Sequence, residues 1–116
     1  MAYTLQDVIA LNEKVQFETN TDSFEKNELE IIHCNLTYGD FSQYDLILEL
    51  KDNQPQHPKY RRINAVLYSN NIILEHKEND VPRTCPPNMI IKLSFSNYDL
   101  SKIENLKIKI FVDYKY

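Results

Sequence analysis

The sequence predicts an all-β domain: an antiparallel β-sandwich or small β-barrel of six to eight strands, with a short N-terminal helix or strand. Apolar and polar residues alternate over most of the chain from residue 28 onward, which is the pattern of strands with one buried face. Turn-forming stretches separate these segments about every 10 to 15 residues. Between them no helical pattern is long enough to connect parallel strands, which favours antiparallel pairing.

The length and composition of the chain indicate one soluble domain. It has 116 residues, of which 42% are hydrophobic and 26% charged, and its formal net charge is −4. Domains of about 100 to 150 residues are the commonest, so residues 1–116 are expected to share one core. Gly39 is the only glycine, which excludes P-loop, dinucleotide-binding and α/β-hydrolase functions, because their motifs need several glycines.

The N-terminal segment predicts a helix over residues 5–13. Thr4 and Asp7 have the spacing of a capping box, with Asp in place of the preferred Glu. The alternative is a strand over residues 7–18, because an apolar alternation continues to Phe17. In the helix, one stripe would contain Leu5, Val8, Ile9 and Asn12.

Two strands are predicted on either side of a turn at Gly39 and Asp40. In residues 31–38 the alternation places Ile32 on one face with Cys34, Leu36 and Tyr38. In residues 44–51 it does the same for Tyr44, Leu46, Leu48 and Leu50. A polar loop with two prolines follows over residues 51–59.

A hairpin is predicted from residues 61–68 and 72–76. Asn70 and Asn71 lie between these strands, and asparagine tolerates a positive φ better than any other residue except glycine. The pair is therefore expected to form the tight turn. Residues 77–87 contain three prolines and predict a long connection.

The C-terminal third predicts two more strands, over residues 89–95 and 106–116, with one helical turn at residues 100–104 between them. The rhythm of strands along the chain resembles that of jelly-roll and immunoglobulin-like sandwiches. The Cys…Trp…Cys signature of the immunoglobulin fold is missing, because the chain has no tryptophan.

The residues that usually carry catalysis or bind metals are scattered. The histidines His33, His57 and His76 lack the spacing of a metalloprotease motif. A zinc site from His33, Cys34, His57 and Cys85 is disfavoured, since neighbouring residues on a strand point to opposite faces. We therefore predict no enzyme, no metal and no cofactor, with both cysteines reduced.

Charge is distributed unevenly along the chain. Residues 1–52 contain 11 acidic and 3 basic side chains, and residues 53–116 contain 6 and 10. This asymmetry favours a charged partner surface. The alternative is that the sandwich interleaves both halves and mixes the two signs on every face.

Four residues are the predicted binding site: Tyr60, Arg61, Arg62 and Arg83. The first three border the proline-containing loop, and Arg83 lies in the next long loop, which could reach the same end of a sandwich. Tyrosine beside arginine is typical of binding hot spots. The alternative is an ordinary solvated surface.

The last strand carries Lys107, Lys109 and Lys115 on its predicted outward face. A basic strand face with an aromatic residue could hold an anionic polymer. The alternative, which we favour, is that these lysines protect an edge strand from unwanted pairing. Nucleic-acid binding is disfavoured, because the net charge of the chain opposes it.

These observations predict a non-enzymatic protein-interaction or assembly module that uses charge-complementary surfaces, either as a homo-oligomer or with a protein partner. The composition is rich in Asn, Ile, Lys and Tyr, as in AT-rich coding DNA, and this favours a viral or phage structural or accessory protein. The N-terminus lacks a signal peptide and no stretch suits a membrane span, so the expected location is intracellular, and the viral or phage interpretation adds association with the virion. The alternatives are a nucleic-acid or polyanion-binding domain, and a small-ligand barrel or hydrolase whose site is not visible in the sequence.

Overall fold

The computed structural model describes residues 3–39, 43–54, 57–82, 88–96 and 104–115. Within these residues the chain forms two short helices and seven strands, which confirms the predicted all-β class with an N-terminal helix. In chain order they are α1 (Leu5–Glu13), β1 (Val15–Thr19), α2 (Thr21–Lys26), β2 (Leu29–Tyr38), β3 (Tyr44–Asp52), β4 (Tyr60–Ser69), β5 (Ile72–Asp80), β6 (Asn88–Phe95) and β7 (Leu106–Lys115).

The strands form two sheets that pack as a β-sandwich. One sheet has the order β1-β7-β4-β5 and the other β2-β3-β6. Every neighbouring pair is antiparallel except β1 and β7, which are parallel, so the antiparallel prediction is wrong for that pair. The intervening chain supplies the long connection that parallel strands need, because β1 is the first strand and β7 the last.

The core lies between the two sheets, where the predicted alternation places it. Its strand residues are Val15 of β1, Leu29 and Leu36 of β2, Leu46, Leu48 and Leu50 of β3, Ile63, Ala65 and Leu67 of β4, Met89, Ile91, Leu93 and Phe95 of β6, and Leu106, Ile108, Ile110 and Val112 of β7. Aliphatic side chains from both sheets thus interdigitate, as expected for a sandwich.

Helix α1 begins with the predicted capping box. The Asp7 backbone N–H donates to Thr4 Oγ1 (3.2 Å), and the Thr4 N–H donates to Asp7 Oδ2 (2.9 Å). The buried residue of the helix is Leu11, whereas Leu5 and Ile9 of the predicted apolar stripe are exposed.

Helix α1 packs beside the outer edge of β2 rather than over a sheet face. The Asn12 side chain accepts a hydrogen bond from the Leu36 N–H (2.7 Å) and donates one to the Leu36 carbonyl (2.9 Å). This amide takes the place of a neighbouring strand at one residue of the β2 edge, and a helix that covers an edge protects it from edge-to-edge pairing.

Strand β1 and helix α2 together cover the outer edge of β7. The short β1 ends opposite Ile110, whose carbonyl accepts from the Asn20 N–H (2.8 Å). Asn20 also caps α2 by accepting from the Ser23 N–H (3.1 Å), and Ser23 Oγ accepts from the Val112 N–H (3.0 Å). Helix α2 therefore continues the hydrogen bonding where β1 stops. This helix was not predicted from the sequence.

A β-bulge interrupts the alternation of β2. Ile32 is an extra residue between Ile31 and His33, with no partner of its own in β3. It is exposed, so the prediction that it shares a face with Cys34 is wrong. The extra residue shifts the alternation by one position and places Ile32 and His33 on the same, outer face.

Two turns show how a chain with one glycine closes its hairpins. Asn70 and Asn71 have φ values of 49° and 65°, which confirms the predicted asparagine turn between β4 and β5. Gly39 has no positive φ. A Cβ at Gly39 would stand 2.5 Å from a carboxylate oxygen of Asp45, so a larger residue here would require the buried Asp45 side chain to move. Asp40, the other predicted turn residue, lies outside the described residues.

The remaining predictions concern boundaries. Strand β5 continues to Asp80, so the first four residues of the predicted 77–87 connection are strand, and they pair with β4 as far as Arg62. Most of the helical turn predicted at residues 100–104 lies outside the described residues. Neither described helix has the length and apolar character needed to cross a membrane.

Candidate functional site

The predicted binding residue Arg61 lies inside the sandwich. It is 2% exposed, because it follows the alternation of Ile63 and the other inward residues of β4. Its Nη2 and Nη1 donate to the two carboxylate oxygens of Asp52 at 2.6 and 3.0 Å, and Nη1 also donates to the Asn27 carbonyl (2.8 Å). Arg61 therefore joins β4 of one sheet to the end of β3 in the other sheet.

Tyr60 and Arg62 lie on the outer face of the four-stranded sheet. Tyr60 is 52% exposed. Arg62 makes a bidentate contact with Asp113, with Nε to Oδ1 at 3.0 Å and Nη2 to Oδ2 at 2.8 Å. The hydrogen bond from Arg62 is the main reason that the pKa of Asp113 is lowered. Arg83 lies outside the described residues. The binding role of the four residues stays a prediction.

A chain of polar side chains extends from Asp113 across β4 to β5. Asn64 is 1% exposed; its Nδ2 donates to Asp113 Oδ1 (2.9 Å), and its Oδ1 lies 2.9 Å from His76 Nε2. Because the amide nitrogen is directed to the carboxylate, the oxygen is left to accept, and His76 Nε2 carries the hydrogen. Sequence alternation places Arg62 and Asn64 on one face, but only the strand register brings Asp113 and His76 to them.

The lysines of β7 do not lie on an edge strand, because β7 is between β1 and β4. The edge-protection interpretation is therefore wrong. Lys107 Nζ is 3.7 Å from a Glu18 carboxylate oxygen, and the Nζ atoms of Lys107 and Lys109 lie 5.5 and 5.2 Å from the centre of the Tyr68 ring. Both lysines therefore interact with the Tyr68 ring of the same molecule, and Lys107 also interacts with Glu18.

Opposite charges from the two halves of the chain meet within the fold. Asp52 pairs with Arg61, and Glu18 with Lys107. An acidic group remains beside α2, where Glu25, Glu28 and Glu30 line a surface depression with Leu29 and Asn53. Among the described residues, no ion pair involves these three carboxylates.

The outer face of the three-stranded sheet carries three isoleucines, Ile32, Ile47 and Ile90, which we call the isoleucine face. Ile90 is 71% exposed and Ile32 40%, and Ile47 is half-buried. Ile90 lies opposite Glu49 in β3, and Glu49 Oε1 is 2.6 Å from His33 Nδ1. This surface is not evident from the sequence, since the alternation of apolar and polar residues does not reveal the bulge that exposes Ile32.

The cysteine and the interior offer little for chemistry. Cys34 is a free thiol that packs against the core, and burial raises its pKa to about 11, so it stays protonated at neutral pH and is a poor nucleophile. A cavity of about 20 Å³ beneath α1, between the sheets, has an apolar lining that includes Leu11 and Phe95. Ligand pockets are typically about 300 to 1,000 Å³, so this cavity is too small for a ligand.

The described residues contain no group of three or more histidine, cysteine or acidic side chains that could hold a metal ion. Cys85, part of the disfavoured zinc site, lies outside them. Searches against protein-family models, characterised proteins and solved structures find no match for this chain.

Proposed function

We propose that this domain is a protein-interaction module that associates with a second copy of itself or with a partner protein through the isoleucine face. The observation that carries the proposal is Ile90, a large aliphatic side chain on the edge strand β6 that is 71% exposed on the outer face of the three-stranded sheet. Single exposed aliphatic residues are common, but clusters of them rimmed by polar residues mark interaction sites.

The surroundings of the isoleucine face have the anatomy of an interface. Lys92 lies beside Ile47 in the register, Lys51 beside Glu30, and the His33 and Glu49 pair separates Ile32 from Ile90. Exposed apolar side chains interspersed with polar and charged ones are typical of protein interfaces. Because the polar residues around the three isoleucines carry both signs of charge, two copies can place opposite charges against each other.

Polyanion binding has less support. The best candidates, Lys107 and Lys109, lie against Tyr68, and Lys107 is also near Glu18. Arg62 on the same sheet face is occupied by Asp113. Phosphate binding would have to compete with these internal partners and with the net charge of −4. A viral or phage origin and virion association rest on composition alone and stay predictions.

Sedimentation velocity at low and high salt, with protein at tens of micromolar, tests the proposal together with capture of partners from a cell lysate. We expect association that Ile90→Lys abolishes. Ile73→Lys is the matched control, because Ile73 is an exposed isoleucine on the other sheet. A monomer at both salt concentrations that also captures no protein dependent on Ile90 would overturn the proposal.

A further inference from the structure

A groove runs between α2 and the outer edge of β2, which we call the edge groove. It has a volume of about 200 Å³. Its lining consists of Phe24, Leu29 and Ile31 with Thr19, Thr21, Glu25 and Glu30. The groove is smaller than the pockets that enclose drug-sized molecules, so its size suits one or two apolar side chains of a longer ligand.

The backbone of β2 faces this groove. Leu36 bonds to Asn12 through both its N–H and its carbonyl, so both groups point away from β3. In an antiparallel pair every second residue does this. Leu36, Ile31 and Leu29 lie opposite alternate residues of β3, at positions 46, 50 and 52. The backbone groups of Ile31 and Leu29 therefore point outward as well, and both residues line the groove.

The rim of the groove is acidic. Glu25 and Glu30 line both the edge groove and an adjoining depression of about 380 Å³, which Glu28 also lines. Lys51 faces Glu30 across the ladder, yet within the described part of the chain no cation forms an ion pair with any of these carboxylates. Their charge is available to a ligand.

We propose that the edge groove binds an extended peptide segment of a partner protein in which apolar and basic residues alternate, and that this segment adds to β2 as a fourth strand of the β2-β3-β6 sheet. Backbone hydrogen bonds to Leu29 and Ile31 hold the segment, as in other cases of strand addition. Its apolar side chains enter the groove beside Phe24, and its basic side chains lie near the three glutamates. The site shares Glu30 with the polar residues around the isoleucine face but includes none of the three isoleucines.

The first test is an NMR titration of the ¹⁵N-labelled chain with the capped heptapeptide Lys-Val-Lys-Ile-Lys-Val-Lys. We expect saturable shifts centred on the amides of Leu29, Ile31 and α2. A scrambled peptide with its four lysines in a block has the same charge, and we expect at least tenfold weaker binding because it cannot alternate. Equal binding of both peptides, or shifts elsewhere, would overturn the proposal.

The second test uses Glu28→Asn. Glu28 has a φ of 59°, where asparagine is better tolerated, so the variant removes a rim carboxylate without harming the fold. We expect the dissociation constant of the alternating peptide to rise about two- to fivefold, as for loss of one exposed ion pair. Glu13→Gln removes one negative charge from the exposed helix α1 and should leave the dissociation constant of the peptide unchanged. Equal effects of the two variants would show non-specific attraction.

Two further outcomes separate this proposal from the others. Ile90→Lys should retain peptide binding, so a failure of the isoleucine face and a failure of the edge groove are distinguishable. If raising the protein concentration alone shifts the amides of Leu29 and Ile31, the occupant is a second copy of the chain and the proposed peptide partner is wrong.

Discussion

Arg61 and Arg62 are neighbours in β4, and each makes a bidentate contact with an aspartate, yet they lie in opposite environments. The side chains of Arg61 and Asp52 are 1% and 0% exposed, whereas those of Arg62 and Asp113 are 26% and 38% exposed. Strand alternation alone produces this difference, since it sends one arginine into the sandwich and the next one out.

The comparison shows that similar geometry can have very different energetic consequences. Both arginines approach their carboxylates at 2.6 to 3.0 Å. Removing one member of a buried pair leaves an uncompensated charge without water, whereas an exposed charge is resolvated and screened by salt. Arg61 therefore stabilises the contact between the sheets. Arg62 mainly holds the Asp113 side chain in place on the outer face and adds less to stability.

The largest effect is expected for Arg61→Ala. It leaves the Asp52 carboxylate buried and removes the donor to the Asn27 carbonyl. We expect the free energy of unfolding to fall by about 3–5 kcal/mol, measured by urea denaturation followed by circular dichroism. A loss comparable to that of an exposed pair would show that water reaches Asp52 in the folded state.

The double variant Arg61→Met with Asp52→Leu sharpens the same point. Replacing both members of a buried pair with apolar residues is often neutral. Here the Asn27 carbonyl still loses its donor and the Gln54 N–H its acceptor, so we expect a residual loss of about 1–3 kcal/mol in the same urea titration. A fully stable double variant would mean that these backbone groups find new partners.

Arg62→Ala should destabilise far less, by at most about a quarter of the Arg61→Ala loss. Its Asp113 partner is solvated, and salt screens the pair. The difference in urea midpoint between wild type and Arg62→Ala should shrink further in 1 M NaCl. An effect that is independent of salt would assign Arg62 a packing role through its aliphatic stem.

The smallest expected effect is a change in pH dependence from Asp113→Asn. The pKa of Asp113 is lowered in the folded state, first by its hydrogen bond with Arg62. A lowered pKa contributes stability that is present above the ordinary value of 3.8 and is lost as the pH falls toward the native value. In thermal melts from pH 6 to pH 2, the melting temperature of the variant should fall less steeply with pH than that of the wild type. Arg62→Ala should reproduce most of this change, and an unaltered slope in both variants would contradict the assignment.

The alternation in the sequence is enough to predict that the Arg61 side chain points into the sandwich. Arg61 has the parity of Ile63, Ala65 and Leu67, and Asp52 has the parity of Leu46, Leu48 and Leu50. Each therefore continues a buried face. The predicted binding site instead grouped Arg61 with its outward neighbours Tyr60 and Arg62. The contact between Arg61 at the start of β4 and Asp52 at the end of β3 depends on how the two sheets stack. Alternation along a strand does not predict that stacking.

The edge groove and the isoleucine face were not predictable in the same way. The groove needs α2 to lie beside β2, and the face needs the bulge at Ile32. The groove and the face both depend on contacts between segments that are distant in the sequence and meet only in the folded protein. The six-residue α2 has little helical stability of its own, so its location follows from Phe24 in the core and from Ser23 at the edge of β7.

The sequence by itself determined the β class, the capping box that starts α1, and the asparagine turn between β4 and β5, because side-chain alternation and backbone preference are local properties. Only the tertiary structure decided that β7 lies inside its sheet, that β1 runs parallel to it, and which charges meet. Strand order and register depend on which distant segments are buried against each other. Local sequence patterns do not specify that pairing.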